Sequence, residues 1–182
     1  TLFLGFASTL IPFAFAIAAL LNKDYKGWVK PVLPWAFFSV MILGTGILMG
    51  GAWAYEALSF GGFWAWDPVE NSSLVPWLTM VGAAHLILVQ KNRGGVLPSS
   101  LFLTIISFLL ILYSTFLTRS GVLGDSSVHA FVDLGLSGQL LIYLLFFVLF
   151  SIGLLLYRYR DLPKPANEET MDSREFWIFI GS

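Results

Sequence analysis

The sequence contains no cysteine, only two histidines and few charged residues, and these shortages exclude several classes of protein. Without cysteine, the chain forms no disulfide, no thiolate metal site and no thiol nucleophile. Charged residues make up 12% of the 182 residues and the net charge is −1, so nothing indicates nucleic-acid binding. Hydrophobic residues make up 57%, and a mean hydropathy of +0.80 indicates an integral membrane protein.

Apolar segments recur along the chain and predict an all-α fold, a polytopic bundle of transmembrane helices. Five are near the ~20 residues that a helix needs to cross a bilayer. They cover residues 1–21, 34–53, 74–90, 97–117 and 138–157. The runs are continuous, which favours helices because helices satisfy their own backbone in lipid. Residues 176–182 look like a truncated sixth span. We therefore expect a membrane domain over 1–175, cut from a longer protein.

Basic residues predict the orientation of the bundle. Nine of the ten fall in the first, third and fifth connections: Lys23, Lys26, Lys30, Lys91, Arg93, Arg158, Arg160, Lys164 and Arg174. By the positive-inside rule these connections face the cytoplasm. Arg119 is the exception, and it lies with the two outer connections.

The run at 60–77, FGGFWAWDPVENSSLVPW, is the most informative part of the chain. Phe63, Trp64 and Trp66 follow two glycines, and Asp67 and Glu70 come next. This density of rings exceeds what an interfacial aromatic belt needs. A flat, mostly apolar ligand with a polar rim, such as a porphyrin, would suit these side chains.

The carboxylates of this run also have a structural interpretation. Asp67 at the N-cap, proline at the first helical position and Glu70 at the third form a capping box. Pro76 is expected to interrupt the helix that follows, with Ser72 or Ser73 as a second cap. The run therefore predicts a short interfacial aromatic helix or loop on the outer face. An acid–base pair is the alternative role, but no nucleophile accompanies it.

Three further polar residues are candidates for chemistry, and each has a plainer alternative. His85 is predicted near the bilayer centre, where an ionisable group is a functional hypothesis by default; the alternative is an imidazole bonded to another helix. His129, in the second outer loop, is either a solvated histidine or a ligand. Arg119 either reaches lipid headgroups or pairs with a carboxylate of a ligand.

Four motifs together resemble a known family of haem-handling membrane proteins. GGFWAWDPVENSSLVPWL is similar to the tryptophan-rich WWD signature, and it is followed by His85, by TRSGVL at 118–123 and by SVHAF at 127–131. The order is that of the maturation protein F group, the haem lyase subunits of bacterial c-type cytochrome assembly. The nitrite-reductase-specific paralogue is nearly as similar. The resemblance covers about residues 34–157.

The resemblance implies a function and assigns residues to it. Haem would be held by the outer loop through Phe63, Trp64, Trp66 and Asp67, with His129 on its iron. His85 would be an axial ligand of a second, buried haem b. The reaction would attach haem covalently to apocytochrome c in the bacterial inner membrane, with the loop facing the periplasm. A haem chaperone, other maturation subunits and membrane lipid would be the partners. Glu70 and Arg119 complete the expected haem-binding set.

Two departures from the family pattern qualify these expectations. Phe60 and Phe63 stand where the family commonly has tryptophan, so stacking is kept but an indole N–H donor is lost. Each haem site in the family uses two histidines, and this chain offers one for each; alone it is expected to be inactive. Alternative functions are a haem exporter, a single-chain cytochrome c synthase, a proton-coupled transporter using His85, and a structural scaffold.

Overall fold

A computed structural model describes residues 1–57, 62–123 and 135–163 of the chain, and the regular elements in these ranges are helices. The α-helices are α1 Leu2–Ser8, α2 Leu10–Asn22, α3 Val29–Ala57, α4 Pro68–Asn92, α5 Leu97–Arg119 and α6 Ser137–Arg158, and a 3₁₀ turn covers Tyr159–Asp161. His129, Lys164, Arg174, the proposed boundary at 175 and the expected span at 176–182 lie outside the described residues.

The predicted all-α, multi-pass fold is confirmed. The described residues contain five helical segments long and apolar enough to cross a membrane: Leu2–Asn22, Val29–Ala57, Pro68–Asn92, Leu97–Arg119 and Ser137–Asp161. Each predicted span matches one of them, and all but the first, which was predicted to begin one residue earlier, fall inside it. The observed helices extend beyond the predicted ends because polar caps and charged last turns continue the helix past the hydrocarbon region.

The first span is two helices, α1 and α2, because a proline lies just after their junction. Pro12 has no N–H to donate to the carbonyl of Ser8, so the helical ladder is interrupted there. The hydroxyls of Ser8 and Thr9 donate to the carbonyls of Gly5 and Phe6, each at 2.7 Å. These bonds keep the polar groups of the junction satisfied inside an apolar bundle.

The expected break at Pro76 is wrong, because α4 runs through that residue without interruption. Pro76 is fully buried, and hydroxyl groups lie on both sides of it. Ser72 and Ser73 donate to the carbonyls of Val69 and Glu70, and Thr79 donates to the carbonyl of Pro76 at 2.9 Å. Membrane helices tolerate proline, and serine and threonine side chains that bond to nearby carbonyls accompany it here. The aromatic run therefore leads directly into a spanning helix.

Hydroxyl pairs join α4 to α5, which pack along their length. Ser72 Oγ lies 2.8 Å from Ser114 Oγ, and Ser107 Oγ donates to Thr79 Oγ1 at 3.0 Å. Small hydroxyl side chains allow close approach of membrane helices and bond across the interface. This pairing places the first turn of α4 beside the last turns of α5.

The two ends of the bundle differ in character. At one end Arg158 donates to the carbonyl of Leu20 at 3.2 Å. The carboxylate of Asp161 forms salt bridges with Lys23 at 3.0 Å and with Arg158 at 3.4 Å. These contacts join the C-termini of α2 and α6 among basic connections. The opposite end carries the aromatic loop, defined as residues 62–67, between α3 and α4.

Candidate functional site

The aromatic loop is attached to α4 by the capping box that the sequence predicts. Asp67 Oδ1 accepts from the N–H of Val69 at 2.8 Å, and Glu70 Oε2 accepts from the N–H of Asp67 at 3.3 Å. Glu70 Oε2 also accepts from the N–H of Ala65 at 2.9 Å, which lies outside a standard capping box. One carboxylate oxygen therefore holds both ends of the segment that contains Trp66.

Trp66 has a left-handed backbone conformation, with φ of 57°. This region is disfavoured for residues with a side chain, and a bulky ring makes it rarer. Lys23 has the same φ, but it ends α2, where left-handed residues are common. Trp66 instead precedes the N-cap of α4, and its carbonyl accepts from Asn71 Nδ2 at 3.0 Å. Side chains of α4 thus stabilise an unusual turn.

The left-handed turn sends the two indoles of the loop in different directions. The ring of Trp66 is 72% exposed, whereas Trp64 is half-buried. The ring centroids lie 6.5 Å apart with an angle of 85° between the planes. Trp64 Nε1 is buried and has no hydrogen-bond acceptor among the described residues. A buried donor without an acceptor is costly, and a rearrangement that brings an acceptor to it would recover that cost.

Trp64 separates two cavities, the first of which opens between α3 and α4. This lateral cavity has a volume of about 340 Å³ and an entirely apolar lining. Its lining residues are Gly44, Ile47, Leu48, Phe63, Trp64, Trp66, Leu74 and Trp77. The indole of Trp77 is fixed by a 3.0 Å bond from Nε1 to the carbonyl of Val40. The aromatic loop covers this cavity at its end of the bundle.

The second, terminal cavity lies among the ends of α1, α3, α4 and α5 that are near the aromatic loop. It has a volume of about 250 Å³. Leu2, Phe3, Phe6, Gly46, Ile47 and Trp53 contribute to its apolar side, and Trp64, Glu70, Ser73, Ser114, Thr118 and Arg119 contribute polar groups. Cavities that combine apolar walls with a few convergent polar groups are typical of ligand sites. Arg119 supplies a positive charge at this end.

Two glycines of α3 give the aromatic site its shape. A Cβ on Gly51 would lie 2.8 Å from the ring of Phe63 and 3.0 Å from its backbone oxygen. A Cβ on Gly44 would lie 2.7 Å from Trp77 Nε1. Glycine at these positions therefore allows the loop and the Trp77 indole to approach the backbone of α3.

His85 lies away from the aromatic site, on an exposed face of α4 with Leu78 and Val89. Its Nδ1 is 2.8 Å from the carbonyl of Val81 in the same helix, so the expected alternative of a bond to another helix is wrong for the described residues. The position is 17 residues after Pro68 and 7 before Asn92, hence not central in the helix. Gly82 lies against α5, since a Cβ at this position would be 3.2 Å from Leu103 Cδ1.

The predicted site residues thus fall into separate groups. Trp64, Glu70 and Arg119 meet at the terminal cavity, and Phe63 and Trp66 join Trp64 at the lateral cavity. Asp67 caps α4 beside them, while His85 is about 26 Å along the helix from Pro68. The sequence did not single out Asn71, Gly51, Ser114 or the α1 residues. The Gly50–Gly51 pair and an amide directly after the capping box were the available signals.

Comparison with known proteins decides the family. A sequence profile described as Cytochrome C assembly protein matches residues 1–123. This chain belongs to the cytochrome c assembly protein family. The membership agrees with the resemblance of the aromatic run, which lies inside the matched residues.

Individual members of the cytochrome c assembly family match over most of this chain. The cytochrome c-type biogenesis protein CcmF of Haemophilus influenzae is 40% identical over 183 residues, covering 100% of this chain and 28% of that protein. The cytochrome c-type biogenesis protein CycK of Bradyrhizobium diazoefficiens is 45% identical over 131 residues, 71% of this chain and 20% of that protein.

A solved structure gives the same result for the fold. The structure named cytochrome c heme lyase CcmF superposes with a TM-score of 0.72 at 32% identity, covering 99% of this chain and 26% of that chain. The chain therefore spans little more than a quarter of the relatives it matches along its whole length. It is a multi-pass membrane protein of this family.

Proposed function

We propose that this chain is the part of a haem lyase subunit that holds haem at the outer membrane face for attachment to apocytochrome c. The observation that carries this proposal is the indole of Trp64, which lines both cavities and whose buried N–H has no acceptor among the described residues. An apolar ligand that also carries hydrogen-bond acceptors would satisfy it. Haem, a flat macrocycle with two carboxylates, has this combination.

The lining of the cavities supports haem as the substrate. The lateral cavity provides apolar and aromatic walls for a macrocycle. The terminal cavity provides Arg119, Ser114 and Thr118 near Trp64. Arginine is well suited to a propionate because its guanidinium matches the geometry of a carboxylate. Trp66 and Phe63 are exposed at the opening, where they can contact a ring edge.

His85 is proposed as an axial ligand of a resident haem b, and the tautomer of its ring supports the assignment. A carbonyl oxygen only accepts hydrogen bonds, so Nδ1 next to the Val81 carbonyl carries the proton. Nε2 then has its lone pair directed outward, as a metal-binding imidazole requires. An imidazole on an otherwise apolar face is costly in lipid without such a partner. Haem at this position would supply redox chemistry.

His129 is proposed as an iron ligand of the outer haem, at a site different from that of His85. Its sequence neighbourhood follows α5, whose last turn contains Arg119 at the terminal cavity. His85 lies in the second half of α4, whereas the first turn of that helix borders the terminal cavity. We therefore assign the two histidines to different irons. A second histidine for each site would come from the rest of the full-length protein.

Attachment joins each apocytochrome thiol to a haem vinyl group, adding S–H across C=C with no net oxidation. The residues described here would hold and orient the substrate and exclude water rather than supply reacting atoms. The proposed location is the bacterial inner membrane, with the aromatic loop in the periplasm. A haem chaperone, other maturation subunits, apocytochrome c and membrane lipid would be its partners.

Substitution of Trp64 by phenylalanine tests this proposal in the full-length protein. Trp64→Phe keeps an apolar ring and removes the N–H donor together with part of the indole, a loss of volume that the control below shares. A hydrogen bond to a charged acceptor contributes about 1.5–3 kcal/mol, so covalent cytochrome c should fall roughly ten- to a hundredfold in cells. Quantification of covalently bound haem in the apocytochrome gives the measurement.

Trp28 offers a matched control. Its Nε1 is also buried without an acceptor among the described residues, but it lies in the basic connection before α3. Trp28→Phe makes the same chemical change and should leave attachment near the wild-type level. Equal effects of the two substitutions would show that the loss at Trp64 reflects stability, not haem contact.

A further inference from the structure

We propose that Asn71 and Glu70 are positioning residues that fix the angle between Trp64 and Trp66 by holding Trp66 in its left-handed conformation. The structural part of this proposal stands on the hydrogen bonds of the loop. Its consequence for attachment rests on the proposed function. It also gives Glu70 a role different from direct contact with haem.

The first step is that the conformation of Trp66 requires support. A tryptophan at φ of 57° clashes with its own backbone, and such residues persist only where surrounding contacts determine them. Trp66 is 72% exposed, so burial of its ring contributes little to holding the turn. Among the described residues, the contacts left to hold the turn are hydrogen bonds to the backbone groups of Trp66 and its neighbours.

The second step is that these hydrogen bonds come from two adjacent side chains of α4. Glu70 Oε2 accepts from Ala65 N at 2.9 Å and from Asp67 N at 3.3 Å, one residue on each side of Trp66. Asn71 Nδ2 donates to the carbonyl of Trp66 itself at 3.0 Å. The peptide groups around Trp66 are thereby tied to the first turn of a 25-residue helix.

The third step links this turn to the cavities. Rotation of the Trp66 peptide would change the path of the chain between Trp64 and Asp67, and Asp67 is fixed as the N-cap. The 85° angle between the two indoles therefore depends on the turn. Trp64 lines both cavities and Trp66 lines one, so the turn sets the shape of the aromatic walls.

Glu70 acts as a hydrogen-bond acceptor and Asn71 as a donor, so isosteric substitution affects the two residues differently. Both N–H groups donate to the same oxygen of Glu70, so Glu70→Gln can still accept them through its amide oxygen. Asn71→Asp preserves size but replaces the donor by an acceptor facing a carbonyl. A haem-contacting or proton-transferring Glu70 would lose its role in Glu70→Gln, whereas a positioning Glu70 keeps it.

The experiment uses the full-length protein labelled with 5-fluorotryptophan and ¹⁹F NMR, with resonances assigned by single tryptophan-to-phenylalanine substitutions. We expect Asn71→Asp and Glu70→Ala to shift the Trp64 and Trp66 resonances and to lower covalent cytochrome c by about ten- to a hundredfold, the usual effect of a misplaced substrate contact. Glu70→Gln should keep both values close to wild type. Asn92→Asp, the same substitution at the exposed far end of α4, should change neither.

The outcomes separate this inference from the proposed function. Unchanged Trp66 resonances in Asn71→Asp, or loss of attachment in Glu70→Gln with unchanged resonances, would overturn the positioning role. Shifted resonances with unchanged attachment would uphold the positioning role and instead contradict the proposed use of the aromatic loop. A general folding defect would shift the Trp28 resonance as well, which the positioning role does not predict.

Discussion

At the scale of single residues, the members of the aromatic loop have distinct tasks. Trp64 is half-buried and lines both cavities, with its N–H buried and without an acceptor among the described residues, whereas Trp66 is exposed at the opening of one. Asp67 and Glu70 bond to backbone N–H groups of the loop and of the first turn of α4. The carboxylates therefore build the site, and the rings and Arg119 line it.

Substitution of His85 tests whether a second haem, distinct from the one at the aromatic loop, binds to this residue. His85→Ala removes the imidazole whose Nε2 is directed away from α4, so the full-length protein should lose the absorption of its haem b. The optical spectrum of the reduced, purified protein checks this. An unchanged spectrum would make His85 a packing residue.

His129→Ala is the companion variant, because the two histidines are assigned to different irons. The spectrum of haem b should remain while covalent cytochrome c formation in cells falls. Parallel loss of the haem b spectrum in both variants would contradict the assignment of two sites. Normal cytochrome levels in His129→Ala would return that residue to a solvated loop position.

The residue types of the site could be predicted from the sequence, but their contacts could not. The capping box follows from Asp67, Pro68 and Glu70 at fixed spacing, and it is confirmed. The bond from Asn71 to Trp66 depends on a left-handed turn, and tryptophan gives no signal for one. The exposure of His85 depends on how α4 is rotated against α5. Because apolar residues lie on nearly all sides of this helix, its sequence does not predict that rotation.

At the scale of elements, α3 and α4 together form the frame of the aromatic loop. α4 is continuous from its capped start to Asn92, and α3 presents glycines where the loop and Trp77 approach it. The sequence predicted a break at Pro76 because proline interrupts helices in water. In the bundle the helix continues through Pro76, and the neighbouring hydroxyls bond to carbonyls of the same stretch.

Gly51 provides a test of this frame. A methyl group at Gly51 would collide with the ring and the backbone oxygen of Phe63, so Gly51→Ala should displace the aromatic loop. We expect the free energy of unfolding to fall by about 1–3 kcal/mol, the usual cost of overpacking. Unfolding of the purified protein in denaturing detergent measures it.

Gly153→Ala is the matched control in another membrane helix. A Cβ at Gly153 meets nothing within 4 Å, and alanine is the better helix former. This variant should be as stable as wild type or slightly more stable. Equal destabilisation by the two substitutions would show that contact with Phe63 is not the cause.

At the scale of the whole molecule, the helices bring the polar groups to two opposite ends. Basic connections around Lys23 and Arg158 meet at one end, and Trp64, Glu70 and Arg119 meet at the other. The sequence predicted this division because the charges of alternate connections agree. The depth of each group in the bilayer follows from the helix ends, which hydropathy located only approximately.

Labelling of introduced cysteines tests the orientation of the bundle. This segment has no native cysteine that would add background labelling. Val122→Cys, at an exposed position after α5, should react with an impermeant thiol reagent in intact spheroplasts. Asn92→Cys, exposed at the opposite end, should react only after lysis. Labelling of Asn92→Cys from outside would reverse the proposed topology.

The central claim is that haem contacts Trp64 and Trp66, and paramagnetic broadening tests it most directly. Ferric haem broadens and shifts the ¹⁹F resonances of nearby fluorotryptophans, whereas zinc protoporphyrin binds without unpaired electrons. On addition of ferric haem to the labelled full-length protein, the Trp64 and Trp66 resonances should broaden while that of Trp28 stays sharp. Sharp Trp64 and Trp66 resonances at saturating haem, or equal broadening of Trp28, would contradict the account.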